Sequence, residues 1–292
     1  MVKKKLLIVS EITKKYYKKF DLSKFDIILA NKENYTKYIS DCDYIIAGRE
    51  YYSKELLKKE KKLKLISRCG HGTDNIEKID KISVSDVKGA LNTTVAEITI
   101  CYILMGLRDT ILLDENCRKG DWEPKIGNTL KGKTIGIIGY GNIGQEVARL
   151  LKIFDVNILY YDILPYRKNC KLEDLLTESD IITLHCNKNE TSINMINNNT
   201  ISKMKDGVIL INTARGGIIN ERDLLNHINK FKCVVLDVFD VEPTSISNKL
   251  LKCKNTILGT HSANATEEGW RLMAKMAVEN IINYENNLCD SS

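Results

Sequence analysis

Four side chains of complementary chemistry stand at or just after the ends of short apolar runs in this sequence. Arg215 follows the run 208–212, within Asn212-Thr213-Ala214-Arg215-Gly216-Gly217. Asp237 lies in the run 234–238, Glu242 comes four residues after Val238, and His261 follows Thr260 at the end of the run 256–260. An imidazole gives and retakes a proton near neutral pH. A carboxylate beside it favours the imidazolium form. A guanidinium offers a planar fork that matches a carboxylate and an adjoining carbonyl oxygen. Together these groups suit transfer of a hydride to a keto carbon, which requires a proton for the developing alkoxide. The set holds no obvious nucleophile and no metal site, which disfavours hydrolysis. Taken singly, each residue also has a duller reading: Arg215 as a helix cap, Glu242 before Pro243 as turn chemistry, and His261 as structural, like His185 and His227.

A source of hydride is implied by Gly139-Tyr140-Gly141-Asn142-Ile143-Gly144, which directly follows the run 134–138 and leads into the helix-like segment 145–154. In a strand-loop-helix context, Gly139 permits a tight turn, Gly141 lets the backbone approach a pyrophosphate, and Gly144 lets helix and strand pack closely. The free N–H groups of the following helix then face the phosphates. Asp162, 18 residues after Gly144 at the end of the next run, can accept hydrogen bonds from ribose hydroxyls and repels a 2′-phosphate. NAD is therefore expected rather than NADP, although Arg167 nearby leaves NADP open.

These groups share an edge only if the elements beneath them form a parallel sheet, whose ligands bind beyond the carboxyl ends of its strands. From residue 133 onward, β-rich runs at 134–138, 157–161, 181–185, 208–212, 234–238 and 256–260 alternate with helix-like segments, the rhythm of such a sheet covered by helices. A smaller set of the same kind precedes it, at 5–9, 26–30, 44–47, 63–67 and, weakly, 82–85. Apolar positions Val95, Ile98, Tyr102, Met105 and Leu112 predict one long connecting helix over 93–118. Thr266, with Glu267 and Glu268 after it, predicts the start of an amphipathic helix over 266–287 that packs back on the first unit.

At 292 residues, with 43% hydrophobic and 28% charged side chains, the chain suits two modest globular domains. No apolar run approaches the roughly 20 residues needed to span a bilayer, and the opening Met1-Val2-Lys3 leads into a first strand rather than a signal peptide. The nine cysteines show neither CxxC nor Cys/His metal spacing and read as reduced thiols of a cytoplasmic protein. Residues 1–70 carry 18 Lys and Arg against 9 Asp and Glu, a net of +9 that leaves −3 for the remainder. Lysine runs of this kind are expected as a solvated face rather than a nucleic-acid surface, and they attract acidic small molecules.

Seven stretches carry a specific resemblance: LKLISRCGHGTDNIE (63–77), VAE (95–97), GDW (120–122), LKGKTIGIIGYGNIGQEVARLLK (130–152), MKDGVILINTARGGIIN (204–220), LDVFDVEP (236–243) and THSANATEE (260–268). Over nearly its whole length the chain resembles the D-isomer-specific 2-hydroxyacid dehydrogenase family, particularly its phosphoglycerate-dehydrogenase-like members. The resemblance implies an α/β fold of two domains. These are a Rossmann NAD-binding domain over 95–263 and a discontinuous, flavodoxin-like substrate domain from 1–94 and 264–292. It implies a catalytic trio of Arg215, Glu242 and His261. It places Gly139, Gly141, Asn142, Ile143, Gly144, Asp162, Thr213, Ala214 and Asp237 at the cofactor, with Asp237 near the nicotinamide carboxamide. It further implies that main-chain N–H groups of the loop containing Gly70, His71 and Gly72 hold the substrate carboxylate and that two copies pair through the cofactor domain. Arg49, which follows the run 44–47, is placed to meet a second anionic group such as phosphate, its duller reading being a surface arginine.

Some positions depart from the family pattern. His71 stands where a small aliphatic residue is usual, and Thr260 and Asn187 replace prolines. The sequence ends soon after 287, so a C-terminal regulatory domain with serine feedback is not expected. Substrates of the phosphoglycerate, hydroxypyruvate or glyoxylate type all remain compatible. The rival reading is an NADH-sensing interaction protein, as in the family's corepressor branch. The intact Arg/Glu/His set argues against pure sensing, and Glu242 argues against a relative acting on formate.

Overall fold

The computed structural model describes residues 3–290; the side chains of 288–290, Cys289 among them, and residues 1–2 and 291–292 lie outside what is described. By its internal contacts the chain divides into two compact units. One comprises the chain up to Leu91 together with the chain from Ala265 onward, and the other is Asn92–Asn264.

The first unit contains β1 (Lys4–Ile8), α1 (Glu11–Tyr16), β2 (Phe25–Leu29), β3 (Tyr44–Ala47), α2 (Lys54–Lys58), β4 (Leu65–Arg68) and β5 (Ser83–Ser85). Its strands are all parallel, in the order β2-β1-β3-β4-β5. This is the winding of the flavodoxin-like sheet. Leu6, Leu7, Ile8 and Val9 are fully buried in succession, as expected of a strand covered on both faces.

The second unit holds α3 (Asn92–Arg108), α4 (Thr110–Arg118), β6 (Thr134–Ile138), α5 (Asn142–Leu151), β7 (Asn157–Tyr161), α6 (Leu172–Glu178) and β8 (Ile181–Leu184). It continues through α7 (Asn198–Lys203), β9 (Val208–Asn212), α8 (Glu221–Asn226), β10 (Phe231–Leu236) and β11 (Thr256–Leu258). Its parallel sheet runs β11-β10-β9-β8-β6-β7, so the chain reverses direction across the sheet at β6 and β8. Alternate strand residues feed two cores. Ile135, Ile137, Ile209, Ile211 and Val235 pack with Ile103 of α3 and Val147 of α5. Ile138, Leu210, Val234 and Leu236 pack with Leu175 of α6, Ile201 of α7 and Leu224 of α8.

The final helix, α9 (Glu267–Asp290), belongs to the first unit. Thr266 Oγ1 accepts from Gly269 N at 3.0 Å, as its capping position predicts. Met273, Ala274, Ala277, Val278 and Ile281 form the buried helical stripe, and Ser67 Oγ donates to Ala277 O at 2.9 Å.

Two expectations need correction. The single helix over 93–118 is two, interrupted at Asp109, whose φ of 52° is left-handed. The carboxylate of Asp109 lies near Lys232 Nζ at 3.1 Å and Lys125 Nζ at 3.4 Å, charge contacts that accompany the break. The run 234–238 is shifted: β10 begins at the buried Phe231 and ends at Leu236, so Asp237 follows the strand.

Candidate active site

The glycine loop is shaped by close approach. Gly139 has a left-handed φ of 92°, and a Cβ there would stand 2.4 Å from Cys186 N. A Cβ on Gly144 would meet Gly139 O at 2.2 Å, whereas one on Gly141 would meet nothing within 4 Å. Gly139 and Gly144 therefore serve the protein's own packing, while Gly141 opens onto space where a diphosphate backbone fits. Gly141 is also the N-cap of α5 and provides no side-chain capping bond, leaving the first-turn N–H groups to an anion. Asn142 is exposed at this helix start, and Ile143 anchors the turn against the core.

Asp162 lies just beyond β7. Its Oδ2 accepts from Tyr140 N at 2.9 Å and its Oδ1 from Leu164 N at 3.1 Å. Those bonds orient the carboxylate and leave acceptor capacity on both oxygens. Tyr140 stacks on Tyr160 of β7, with centroids 3.8 Å apart and planes at 13°. This clamp on the loop is not visible in the glycine spacing, because its partner lies on the next strand.

The structure brings His261 and Glu242 together. His261 Nδ1 lies 2.6 Å from Glu242 Oε2, with side chains 29% and 32% exposed. Glu242 Oε1 accepts from Phe239 N at 3.0 Å, which orients the carboxylate. His261 has a left-handed φ of 55°.

Arg215 is half-buried, and its Nη1 donates to Ala214 O at 2.8 Å. Its loop is joined to the Glu242 loop through the main chain: a Cβ on Gly216 would fall 1.8 Å from Phe239 O, and Gly217 N donates to Asp240 Oδ1 at 2.7 Å. Glu221 and Asn212 brace this junction and were missed from sequence. Glu221 Oε1 accepts from Asp240 N at 2.7 Å. Buried Asn212 accepts from Ala214 N at 3.0 Å and donates to Arg215 O at 2.9 Å. Thr213 is buried with its hydroxyl 3.4 Å from that of Thr99, which itself donates to Val95 O at 2.7 Å.

Asp237 follows β10. Its wholly buried carboxylate accepts from Ser262 N at 3.1 Å and Ala263 N at 2.9 Å, which fixes its orientation and leaves further acceptor capacity on both oxygens. In the first unit, Gly70 N donates to Arg68 O at 3.0 Å and Gly72 N to Asp86 Oδ2 at 3.2 Å. These two bonds shape the loop that carries His71. His71 Nδ1 lies 3.8 Å from Asp86 Oδ2. Arg49 is exposed just beyond β3. Arg68 and Asn75 shape this loop and were not singled out from sequence: Arg68 Nε donates to Asn75 Oδ1 at 3.2 Å, and Asn75 Nδ2 donates to Gly48 O at 3.2 Å.

Residues 100–263 match the family model described as "D-isomer specific 2-hydroxyacid dehydrogenase, NAD binding domain". A hydroxypyruvate reductase of Thermotoga maritima is 37% identical over 267 residues, covering 86% of this chain and 87% of that one. A D-3-phosphoglycerate dehydrogenase of Archaeoglobus fulgidus is 35% identical over 261 residues, 84% of this chain but only 49% of that relative, so the chain spans about half its length. The solved D-lactate dehydrogenase of Aquifex aeolicus, complexed with NAD and lactic acid, superposes with a TM-score of 0.87 at 27% identity, covering 97% of this chain and 96% of that one. The glycine turn, the open space at Gly141 and the Asp162 carboxylate fit a dinucleotide, and with these likenesses the chain belongs to the D-isomer-specific 2-hydroxyacid dehydrogenase family, an oxidoreductase family with NAD as its cofactor.

Proposed function

We propose that the protein interconverts a small D-2-hydroxy acid and its 2-keto acid, of the hydroxypyruvate or glyoxylate type, with His261 as acid/base, Glu242 as its partner and Arg215 as carboxylate clamp. The observation that carries the assignment is the 2.6 Å contact between His261 Nδ1 and Glu242 Oε2 in the unit that bears the cofactor loop. With Nδ1 engaged, Nε2 is the nitrogen that exchanges a proton with the substrate oxygen. Glu242 stabilises the imidazolium and holds its orientation, as the carboxylate of a hydrolytic triad does. NAD, when bound, would supply or accept the hydride at the α carbon; the half-buried guanidinium of Arg215 orients the neighbouring substrate carboxylate.

The likeness to the Thermotoga reductase favours hydroxypyruvate over phosphorylated acids, the sequence resemblance supports substrate contacts in the loop of Gly70, His71 and Gly72, and the exposed place of Arg49 just beyond β3 suits a second anionic group. No helix among the described residues is long and apolar enough to cross a membrane, and the described cysteines are free thiols, which fits a cytoplasmic setting. The test is NADH oxidation with hydroxypyruvate, glyoxylate, pyruvate and phosphohydroxypyruvate, for the native chain and for His261→Ala. The variant should retain NADH binding and lose turnover by roughly a hundredfold to ten-thousandfold, the range typical of general acid–base catalysis. Unchanged turnover would remove His261 from the mechanism, and Arg49→Ala changing only the phosphorylated substrate would redirect the substrate assignment.

A further inference from the structure

Three contacts join the glycine loop to β7 and to the acid that follows it. Pairing between β6 and β7 continues past the end of β6, where Gly139 N donates to Tyr161 O at 2.7 Å. One residue further on, Tyr140 N donates to Asp162 Oδ2 at 2.9 Å, while Tyr140 O accepts from Gln145 Nε2 at 3.0 Å. The main chain of Tyr140 is therefore held on both sides. Its ring then lies nearly flat on that of Tyr160, with centroids 3.8 Å apart. Aromatic pairs contribute beyond the area they bury.

Tyr160 is itself a fixed platform. It belongs to β7, the edge strand of its sheet. Tyr160 N donates to Asn169 Oδ1 at 2.7 Å and Asn169 N donates to Tyr160 O at 3.1 Å, so its edge-facing main-chain groups are both satisfied. The glycine turn demands no such pairing, since position 140 needs only to separate Gly139 from Gly141. What the stack adds is a fixed relation between the loop that opens toward a diphosphate and the carboxylate that can accept from ribose hydroxyls.

We infer that Tyr140 and Tyr160 are specificity-determining positioning residues: their stack locks Asp162 against the glycine loop and so sets the preference for a free ribose 2′-hydroxyl over a 2′-phosphate. This inference rests on Asp162 as the ribose acceptor. Hydrogen bonds from ribose need the carboxylate in one orientation, because they weaken steeply as their angle closes. Repulsion of a phosphate falls only gradually with distance. A loosened carboxylate thus weakens NADH binding and leaves NADPH binding nearly as it was.

The experiment measures Kd for NADH and for NADPH by nucleotide fluorescence, with the thermal midpoint as a check on folding. The variants are Tyr140→Leu, Tyr160→Leu, the two combined, Tyr140→Phe, Tyr160→Phe and Asp162→Ser. Each Leu variant should weaken NADH roughly threefold to tenfold, the factor to which an aromatic pair corresponds, and NADPH less than about twofold. The combined variant should be no worse than either alone, because both remove one shared contact. The Phe variants keep the rings and should keep the native ratio of the two Kd values. General destabilisation lowers binding of both nucleotides alike, so this ratio separates positioning from a merely structural role. A native ratio in either folded Leu variant overturns the inference, as does an equal change in the Phe variants. If Asp162→Ser narrows the ratio and the Leu variants do not, only the role of the stack fails. A native ratio in Asp162→Ser removes the assignment beneath it. Should Tyr160→Leu fail to fold, Tyr140→Leu on the loop decides.

Discussion

The guanidinium of Arg215 sits in a loop whose carbonyls fix its base, with Asn212 donating to its main-chain oxygen and its own Nη1 donating to Ala214 O. A lysine in that place keeps the charge but cannot reproduce a two-pronged grip on a carboxylate. Hydrogen bonds to charged groups contribute about 1.5–3 kcal/mol, so losing one prong corresponds to roughly a tenfold to hundredfold change in affinity. Arg215→Lys should raise the KM for the keto acid by that factor while the Kd for NADH holds, and an unchanged KM would dismiss the clamp. A second residue affects stability instead. Burial pushes the His185 imidazole down from its ordinary 6.5 to about 3, and Thr183 Oγ1 lies 2.9 Å from its Nε2. Between those two values the native protein keeps His185 neutral while the unfolded chain protonates it. The unfolded state then binds more protons, and stability falls as pH drops from about 6.5 toward about 3. His185→Gln should narrow the difference between denaturation midpoints at pH 7 and pH 5; an undiminished difference would show that other groups govern the acid sensitivity.

At the level of elements, the junction of two loops matters more than either alone. The turn after β9 and the turn after β10 meet where Gly216 faces Phe239 O with no room for a methyl group. Gly216→Ala must part them, and with them the Arg215 loop and the Glu242 loop. Turnover should drop more than tenfold with NADH binding retained, as for other displacements of reacting groups by a fraction of an ångström to an ångström; normal turnover in this variant would mean that the junction has slack. Much of this scaffold was legible beforehand. Both sheets are covered by helices, so their strands read as continuous apolar runs, and the reactive residues stood out because their types are unusual just after such runs. What escaped notice depends on partners distant in sequence. Asp237 binds main chain 25 and 26 residues onward, and Tyr140 stacks across to β7. The break at Asp109 was hidden for the same reason, since its carboxylate meets Lys232, 123 residues away.

On the scale of the whole molecule, the stretch after α4 stands out, with Trp122 85% exposed and Ile126 95% exposed. Asn128 N donates to Leu107 O at 3.0 Å, which holds the end of this stretch to α3. Such side chains are apt for pairing through the cofactor unit, as the resemblance implies. Light scattering should give the mass of a dimer for the native chain and of a monomer for Trp122→Asp combined with Ile126→Asp; a native monomer would refute the pairing. The two units also differ in how they are threaded. The cofactor-bearing unit is one uninterrupted segment, whereas its neighbour is completed only by α9, whose Met273, Ala277 and Ile281 are fully buried there. On the ribosome, then, the dinucleotide-binding half can mature while the earlier-made N-terminal half still awaits its last helix. A premature stop near codon 265 would accordingly yield a chain that still captures NADH but carries a ragged, protease-sensitive N-terminal half.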